Sequence, residues 1–261
     1  MQRDIGTLGV PLAGGGSIPL LGFGTWQLEG QEAYEATLTA LRTGYRHIDT
    51  ATGYGNEERV GAALRESGVS REEVFVTTKC PPERVGRELE TLEESLRALG
   101  VGYVDLWLVH WPPNGEARPA TWEKFIEAQD AGKVRHIGVS NYSSDQVDEL
   151  VKATGKAPVV NQIPWSPFVY DGKLAEEHSA RDVVLEGYSP LKRSRLTDSA
   201  LVEVARAHGK TPAQVVLRWH IDHHFVVIPK SARQERIEEN FDIADFELSA
   251  EELRRLDELA G

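Results

Sequence analysis

The chain has 261 residues, 40% of them hydrophobic and 27% charged, with a formal net charge of −12. That suits a soluble globular protein with room for one large α/β domain, and the acidic balance argues against a general nucleic-acid or anionic-membrane binder. No apolar run approaches the roughly 20 residues that span a bilayer, the N-terminal "MQRDIGTLGVPLAGGG" holds no apolar signal core, and a lone cysteine, Cys80, allows no internal disulfide, which points to a reducing cytoplasm.

From the N-terminus, three glycines at 14–16 between "VPL" and "IPL" predict a small β-hairpin. Apolar runs rich in β-branched residues follow at 20–24, 45–48, 74–78, 104–109, 134–139, 159–162, 183–185 and 225–228, and read as strands. Helical periodicity fills the gaps, at about 31–43, 56–67, 120–131, 144–153, 198–208 and 212–222. The clearest case is Val85, Leu89, Leu92, Leu96 and Leu99, whose spacing keeps one face apolar. Thr211 before Pro212 looks like an N-cap followed by proline at the first helical position. Near-continuous apolar strands alternating with helices predict a parallel sheet covered by helices. Eight such units predict an α/β fold closed as a (β/α)8 TIM barrel, one domain over 1–261, with the hairpin closing its bottom. The alternative is an open doubly wound sheet. Its dinucleotide fingerprint is absent, because the nearest match, "GFGTWQ" at 22–27, lacks the third glycine.

In parallel sheets, chemistry gathers at the C-terminal strand ends. Those ends carry Asp49, Lys79, His110, Ser140 and Asn141, Asn161 and Gln162, Tyr188 and Ser189, and Lys230 and Ser231. Singly, each has a structural explanation as a cap or a solvated loop residue. Together they would set a carboxylate, an ammonium and an imidazole in one barrel mouth, which is costly unless they pair. Tyr54 follows Asp49 closely and lies between Gly53 and Gly55. A free phenol has a pKa of about 10. An adjacent ammonium favours the phenolate and is expected to lower that value. A phenol so placed could give a proton to a carbonyl oxygen held by the histidine, but reduction would also need a hydride donor. No metal site is read from the sequence.

Over nearly its whole length the sequence resembles the aldo-keto reductases, and in particular bacterial members that include 2,5-diketo-gluconate reductases. The resemblance rests on "GYRHIDTATGYGNE", "VTTK", "VDLWLVHWP", "GKVRHIGVSN", "VVNQIPWSP", "GYSPL" and "VVIPKSARQERIEENF", in that order. It implies a catalytic tetrad of Asp49, Tyr54, Lys79 and His110, with Tyr54 as general acid in reduction. It implies that NADPH stacks its nicotinamide on Tyr188, with Ser140, Asn141 and Gln162 holding the carboxamide. Gly24, Thr25 and Trp26 would sit at the nicotinamide end and Ser189, Pro190 and Leu191 along the pyrophosphate. Ile228, Lys230, Ser231, Arg233, Arg236, Glu239 and Asn240 would hold the 2′-phosphate and adenine. Lys230, Arg233 and Arg236 also form a basic cluster at a helix start, as a phosphate site requires; the competing explanation is surface charge paired with Glu235, Glu238 and Glu239. Substrate, a small carbonyl compound, would meet Trp26, Tyr54, His110 and Trp111. Trp107 is expected to pack in or against the barrel, and Trp122, Trp165 and Trp219 as core. Family members are often monomers, and no nucleic-acid, membrane or metal partner is expected.

Three segments depart from the family pattern. "CPPERVGREL" after Lys79 lacks the usual leucine-tryptophan pair, and Cys80 reads as a small buried filler. "WPPNGEARPAT" and "KRSRLTD" are brief, and no long C-terminal flap follows the helix beginning near Ser249. Such loops set substrate choice in barrels, so an open, shallow pocket with broad specificity is expected. Two other functions fit some of the residues: a non-catalytic, cofactor-sensing subunit, and a lyase using Lys79 as a Schiff-base amine.

Overall fold

The computed structural model describes residues 5–260. Strands β1 (Gly9–Pro11) and β2 (Ser17–Pro19) form an antiparallel hairpin. Gly14, Gly15 and Gly16 all take positive φ in its turn, a region open to glycine at little cost. Gly16, Ser17 and Pro19 border a shallow floor cavity with Arg46, Phe75, Asp105 and Arg135, residues at or near strand N-termini. Ile18 is fully buried beneath them, so the hairpin closes the bottom as expected.

The barrel strands are β3 (Phe23–Gly24), β4 (His47–Asp49), β5 (Phe75–Cys80), β6 (Val104–Val109), β7 (Val134–Ser140), β8 (Val160–Pro164), β9 (Val184–Tyr188) and β10 (Val226–Ile228). They form one eight-stranded sheet in sequence order, every pairing parallel. Leu21 bridges Val227, and the Gly22 N–H donates to the Val227 carbonyl at 2.8 Å. First and last strands therefore meet and the sheet closes, which excludes the open alternative. The strands are near-continuously apolar because both faces are covered: β6 is buried along its whole length, and its Trp107 stacks on Phe125 with ring centroids 3.7 Å apart.

The helices are α1 (Gly30–Thr43), α2 (Glu57–Glu66), α3 (Glu88–Leu99), α4 (Pro119–Asp130), α5 (Ser144–Thr154), α6 (Gly172–Ser179), α7 (Ser199–His208), α8 (Pro212–Asp222), α9 (Gln234–Phe241) and α10 (Ala250–Asp257). Thr211 caps α8 by accepting from the Gln214 N–H at 3.3 Å. Trp122, Trp165 and Trp219 are all buried core side chains. Two readings need correction. Helix α3 starts at Glu88 rather than Val85, because Gly86 takes φ 84° and leaves Val85 38% exposed. Helix α6 is missing from the periodicity; it is set instead by its cap, Asp171, which accepts from the Lys173 and Leu174 N–H groups. Among the described residues no helix is long and apolar enough to cross a membrane.

Candidate active site

Strand β4 delivers Asp49 and β5 delivers Lys79, in neighbouring strands and on the inner face. The Lys79 Nζ donates to Asp49 Oδ1 at 2.6 Å, to the Thr50 carbonyl at 2.9 Å and to the Tyr54 hydroxyl at 3.4 Å. All three ammonium donors are thus engaged, and the Lys79 side chain has no exposure. Gln162 Nε2 from β8 donates to the other Asp49 oxygen at 2.9 Å. The Tyr54 ring meets the His110 imidazole edge-on, with centroids 5.6 Å apart.

Tyr54 ends a single 3₁₀ turn at Thr52–Tyr54. Of its two flanking glycines only Gly55 takes positive φ, at 66°, so the backbone demands glycine there and not at Gly53. The turn is tied down twice. Thr52 Oγ1 donates to the Lys79 carbonyl at 2.9 Å. Asn56 Nδ2 donates to the Thr25 and Leu28 carbonyls, both at 2.9 Å, and its Oδ1 accepts from Thr50 Oγ1 at 2.8 Å. Asn56 therefore does more than open α2: it clamps the loop after β3 to the loop after β4. Glu57, buried, accepts from Thr78 Oγ1 at 2.6 Å and Ser95 Oγ at 3.0 Å, behind β5.

The electrostatics correct one expectation. Burial pushes the Tyr54 hydroxyl above the usual phenol value and outweighs the pull of Lys79, so the phenol keeps its proton at neutral pH. Burial pulls the Lys79 ammonium down, but the Asp49 carboxylate and Tyr54 hold it above its ordinary range. Burial and the nearby ammonium drive His110 down to about 3. His110 is thus a neutral ring, able to donate one N–H to a carbonyl oxygen. An NMR titration of its imidazole is expected to stay flat between about pH 8 and about pH 5; a midpoint inside that window would contradict a neutral role.

A cavity of about 580 Å³ opens above these groups, lined by Gly24, Trp26, Tyr54, His110, Trp111, Ser140, Asn141, Gln162, Tyr188, Ser189, Ile228 and Lys230. Trp26 and Trp111 stand 44% and 48% exposed at its rim. Asn141 takes φ 64°, which turns its side chain back to donate to the His110 carbonyl at 3.2 Å and to Ser140 Oγ at 2.9 Å. Its Oδ1 accepts from the Tyr188 hydroxyl at 2.9 Å, fixing that ring at the cavity wall. Asn161 does not join them: it faces the outer layer, donating to the Tyr142 carbonyl and pairing with His178. Adjacent strand residues point to opposite faces, so only Gln162 of that pair reaches the mouth. Thr25 is buried behind the wall, where its hydroxyl donates to the Asp49 carbonyl at 2.9 Å. Past Lys230 the remaining predicted residues leave the cavity wall for the chain around α9. Arg233 is its N-cap residue and Arg236 lies in its first turn. Asn240 is buried, and Glu239 accepts from Thr211 Oγ1 at 2.6 Å.

The aldo/keto reductase family profile matches residues 20–260. The chain belongs to the aldo/keto reductase family. The glyoxal reductase of Bacillus subtilis is 42% identical over 254 residues, covering 96% of this chain and 92% of that protein. Methylglyoxal reductase DkgA of Escherichia coli is 40% identical over the same share of each chain. The crystal structure of an aldo/keto reductase from Brucella melitensis superposes with a TM-score of 0.93 at 43% identity, over 96% of this chain and 97% of that one. This aldo-keto reductase is accordingly an oxidoreductase acting on carbonyl groups.

Several cavity residues of the reductase were not singled out from its sequence. Lys192 and Arg193, in the brief loop after β9, line the mouth, and Lys192 Nζ lies 5.2 Å from the centre of the Trp26 ring. Their signal was the run "LKRSR" directly after Ser189 and Pro190. Pro81, Pro82 and Glu83, in the segment after Lys79, also line the cavity. Cys80 is buried, and burial pushes its thiol up to about 12, as expected of an inert filler.

Proposed function

We propose that this protein is an NADPH-dependent reductase of small aldehydes and ketones, dicarbonyl and sugar-type compounds included, with Tyr54 as the general acid. The observation that carries the proposal is a phenol held in its protonated form, 3.4 Å from a buried, fully engaged ammonium and edge-on to a neutral imidazole, both rings lining one open cavity. The names of the Bacillus and Escherichia relatives favour dicarbonyl substrates.

The residues present suit a phosphorylated dinucleotide. Lys230, Arg233 and Arg236 form no ion pair with a carboxylate among the described residues, while Glu238 and Glu239 accept from Gln234 and Thr211 instead. Three unpaired cations at a helix start in a chain of net charge −12 are a phosphate site in waiting. Ser140, Asn141 and Gln162 would hold the carboxamide, Tyr188 the nicotinamide face, and Ser189, Pro190 and Leu191 the pyrophosphate side. When bound, the nicotinamide supplies the hydride that reduces the carbonyl carbon.

His110 orients the carbonyl oxygen by donating an N–H. Tyr54 passes its proton to that oxygen as charge builds there, and Lys79 stabilises the phenolate left behind. Asp49, held by Gln162, keeps Lys79 charged and in place. The three engaged donors on Lys79 leave no free amine for a Schiff base, which disfavours the lyase alternative. NADPH consumption with glyoxal, methylglyoxal and a panel of aldehydes and ketones tests the proposal, and no turnover with any of them would sink it. Arg236→Ala is expected to weaken NADPH binding about tenfold or more while leaving NADH within about twofold, since a lost charge-assisted contact to the extra phosphate costs about 1.5–3 kcal/mol. Equal weakening of both cofactors would place the 2′-phosphate elsewhere.

A further inference from the structure

Below the Tyr54–Lys79–Asp49 group the barrel interior holds a carboxyl group with no evident structural use. Glu186, on β9, has no exposure, and neither of its oxygens meets a hydrogen-bond partner among the described residues. In register beside it on β8 is Gln162, whose amide donates to Asp49 Oδ2 at 2.9 Å and lies near enough to Glu186 to favour its charged form without making a hydrogen bond of good geometry to it. Its other neighbour is His47 of β4, with Nε2 3.7 Å from Glu186 Oε1, too far for a hydrogen bond. His47 is no counter-ion: burial drives its imidazole down to about 3 against a small opposing pull from the Pro19 backbone, and Nε2 pairs with Thr77 Oγ1 at 3.1 Å. Room for that ring comes from Gly22, where a Cβ would lie 2.6 Å from His47 Nδ1. The charged groups that act on Glu186 are Asp49 of β4 and Lys79 of β5; the residues paired with it on β8 and β10, Gln162 and Val226, do not ionise.

An unpartnered carboxylate in such a place would carry a large desolvation cost, and the neutral acid avoids most of it. Resting on the reductase reading above for its effect on turnover, we propose that Glu186 is held as a neutral acid beneath the Asp49–Lys79 pair, and that its ionisation adds negative charge under Lys79 and makes Tyr54 a weaker proton donor. Glu186 touches neither substrate nor cofactor in this scheme; it is a positioning residue that acts through Lys79 and Asp49. Burial pushes its carboxyl up to about 8, with the Asp49 charge adding to the rise and Lys79 and the Gln162 amide opposing it. The switch from neutral to charged therefore falls just above neutrality. No proton leaves for substrate in this step: Glu186 loses its proton to solvent as the pH rises, and only the local field changes.

The test has two arms. In the cofactor-free protein, infrared difference spectra against Glu186→Gln should show the carbonyl stretch of one protonated carboxylic acid, lost as the pH passes about 8. In Asp49→Asn, which removes the neighbouring negative charge, that band should vanish about one pH unit lower or more. In the second arm, wild-type kcat for reduction should fall about twofold or more through the same pH range, while Glu186→Gln stays flat until Tyr54 itself titrates. Absence of the band in the wild type at pH 6, or a midpoint unmoved by Asp49→Asn, overturns the proposal; neither result depends on turnover, and if Glu186→Gln fails to fold, the band is read instead from each protein's own difference spectrum between low and high pH. A titrating band with identical pH profiles in the two proteins overturns the link to Tyr54. A titrating band in a protein that reduces nothing leaves the buried acid standing and overturns the reductase reading instead.

Discussion

Tyr54→Phe is expected to lower the reduction rate by about 10²–10⁴-fold, the range set by loss of a positioned general acid, while NADPH binds within about twofold of wild type. The two expectations come from different parts of the site. The hydroxyl is the atom that meets Lys79 Nζ at 3.4 Å, and the ring itself sits between Lys79 and His110, with the ammonium 5.1 Å from its centre. Phenylalanine keeps the ring contacts and removes the proton. The residues proposed for the cofactor are other side chains, Ser140, Asn141, Gln162 and Tyr188 in the cavity and the stretch from Lys230 to Asn240 leading into α9. Pre-steady-state measurement of the hydride step checks the first expectation, and quenching of protein fluorescence by NADPH checks the second. A variant that reduces substrate at the wild-type rate would show that another group, His110 foremost, delivers the proton. Because burial holds the phenol above its ordinary range, the wild-type acid remains loaded through neutral pH, so the deficit of Tyr54→Phe should be roughly constant from about pH 6 to about pH 7, below the range in which Glu186 ionises.

The barrel was legible because a parallel sheet buried on both faces writes itself as apolar runs, and each of the eight runs overlaps a strand or, at 20–24, the closing segment. The strand ends were legible because barrel chemistry concentrates there: Asp49, His110, Gln162, Tyr188 and Lys230 all reach one cavity. What escaped has physical causes. Glu186 interrupts the apolar run that begins at Val183, so the run stops at Leu185 although β9 continues to Tyr188, and the acid inside the strand carries no signal of its own. A buried acid looks like the end of a strand when burial is inferred from hydrophobicity. Asn161 and Gln162 are chemically alike, and only the alternation of faces separates the structural amide from the one that holds Asp49. The sign of the Tyr54 shift needed the depth of burial, which no spacing in the sequence supplies. Lys192 over Trp26 joins residues 166 positions apart through the folding of two loops, and neither loop carries a pattern that announces the other.

Lys79→Met is expected to destabilise the protein by about 3–5 kcal/mol near neutral pH, because it leaves a buried carboxylate without its cation. Asp49 is 2% exposed, and its remaining side-chain support is one amide N–H from Gln162 at 2.9 Å. Lys79 also opposes the rise of Glu186, so the variant sets two acids in one dry interior with no ammonium between them. Burial already pushes the Asp49 carboxyl up while Lys79 pulls it back. Without Lys79 only the Gln162 amide opposes that rise, the folded protein takes up a proton that the unfolded chain releases, and stability falls as pH climbs through the raised value. The deficit against wild type should therefore be largest near about pH 8 and shrink toward about pH 5. Adding Asp49→Asn to Lys79→Met removes the stranded charge, and should recover most of the loss, since a buried ion pair replaced on both sides by neutral groups is often close to neutral in stability. Urea midpoints of wild type, the single variant and the double variant at the two pH values read all of this directly. A single variant within about 1 kcal/mol of wild type, or a double variant no better than the single, would mean that Asp49 is already neutral in the folded protein. Tyr54 would then work beside an uncompensated ammonium, and the phenol would be drawn toward the phenolate instead of being held as an acid.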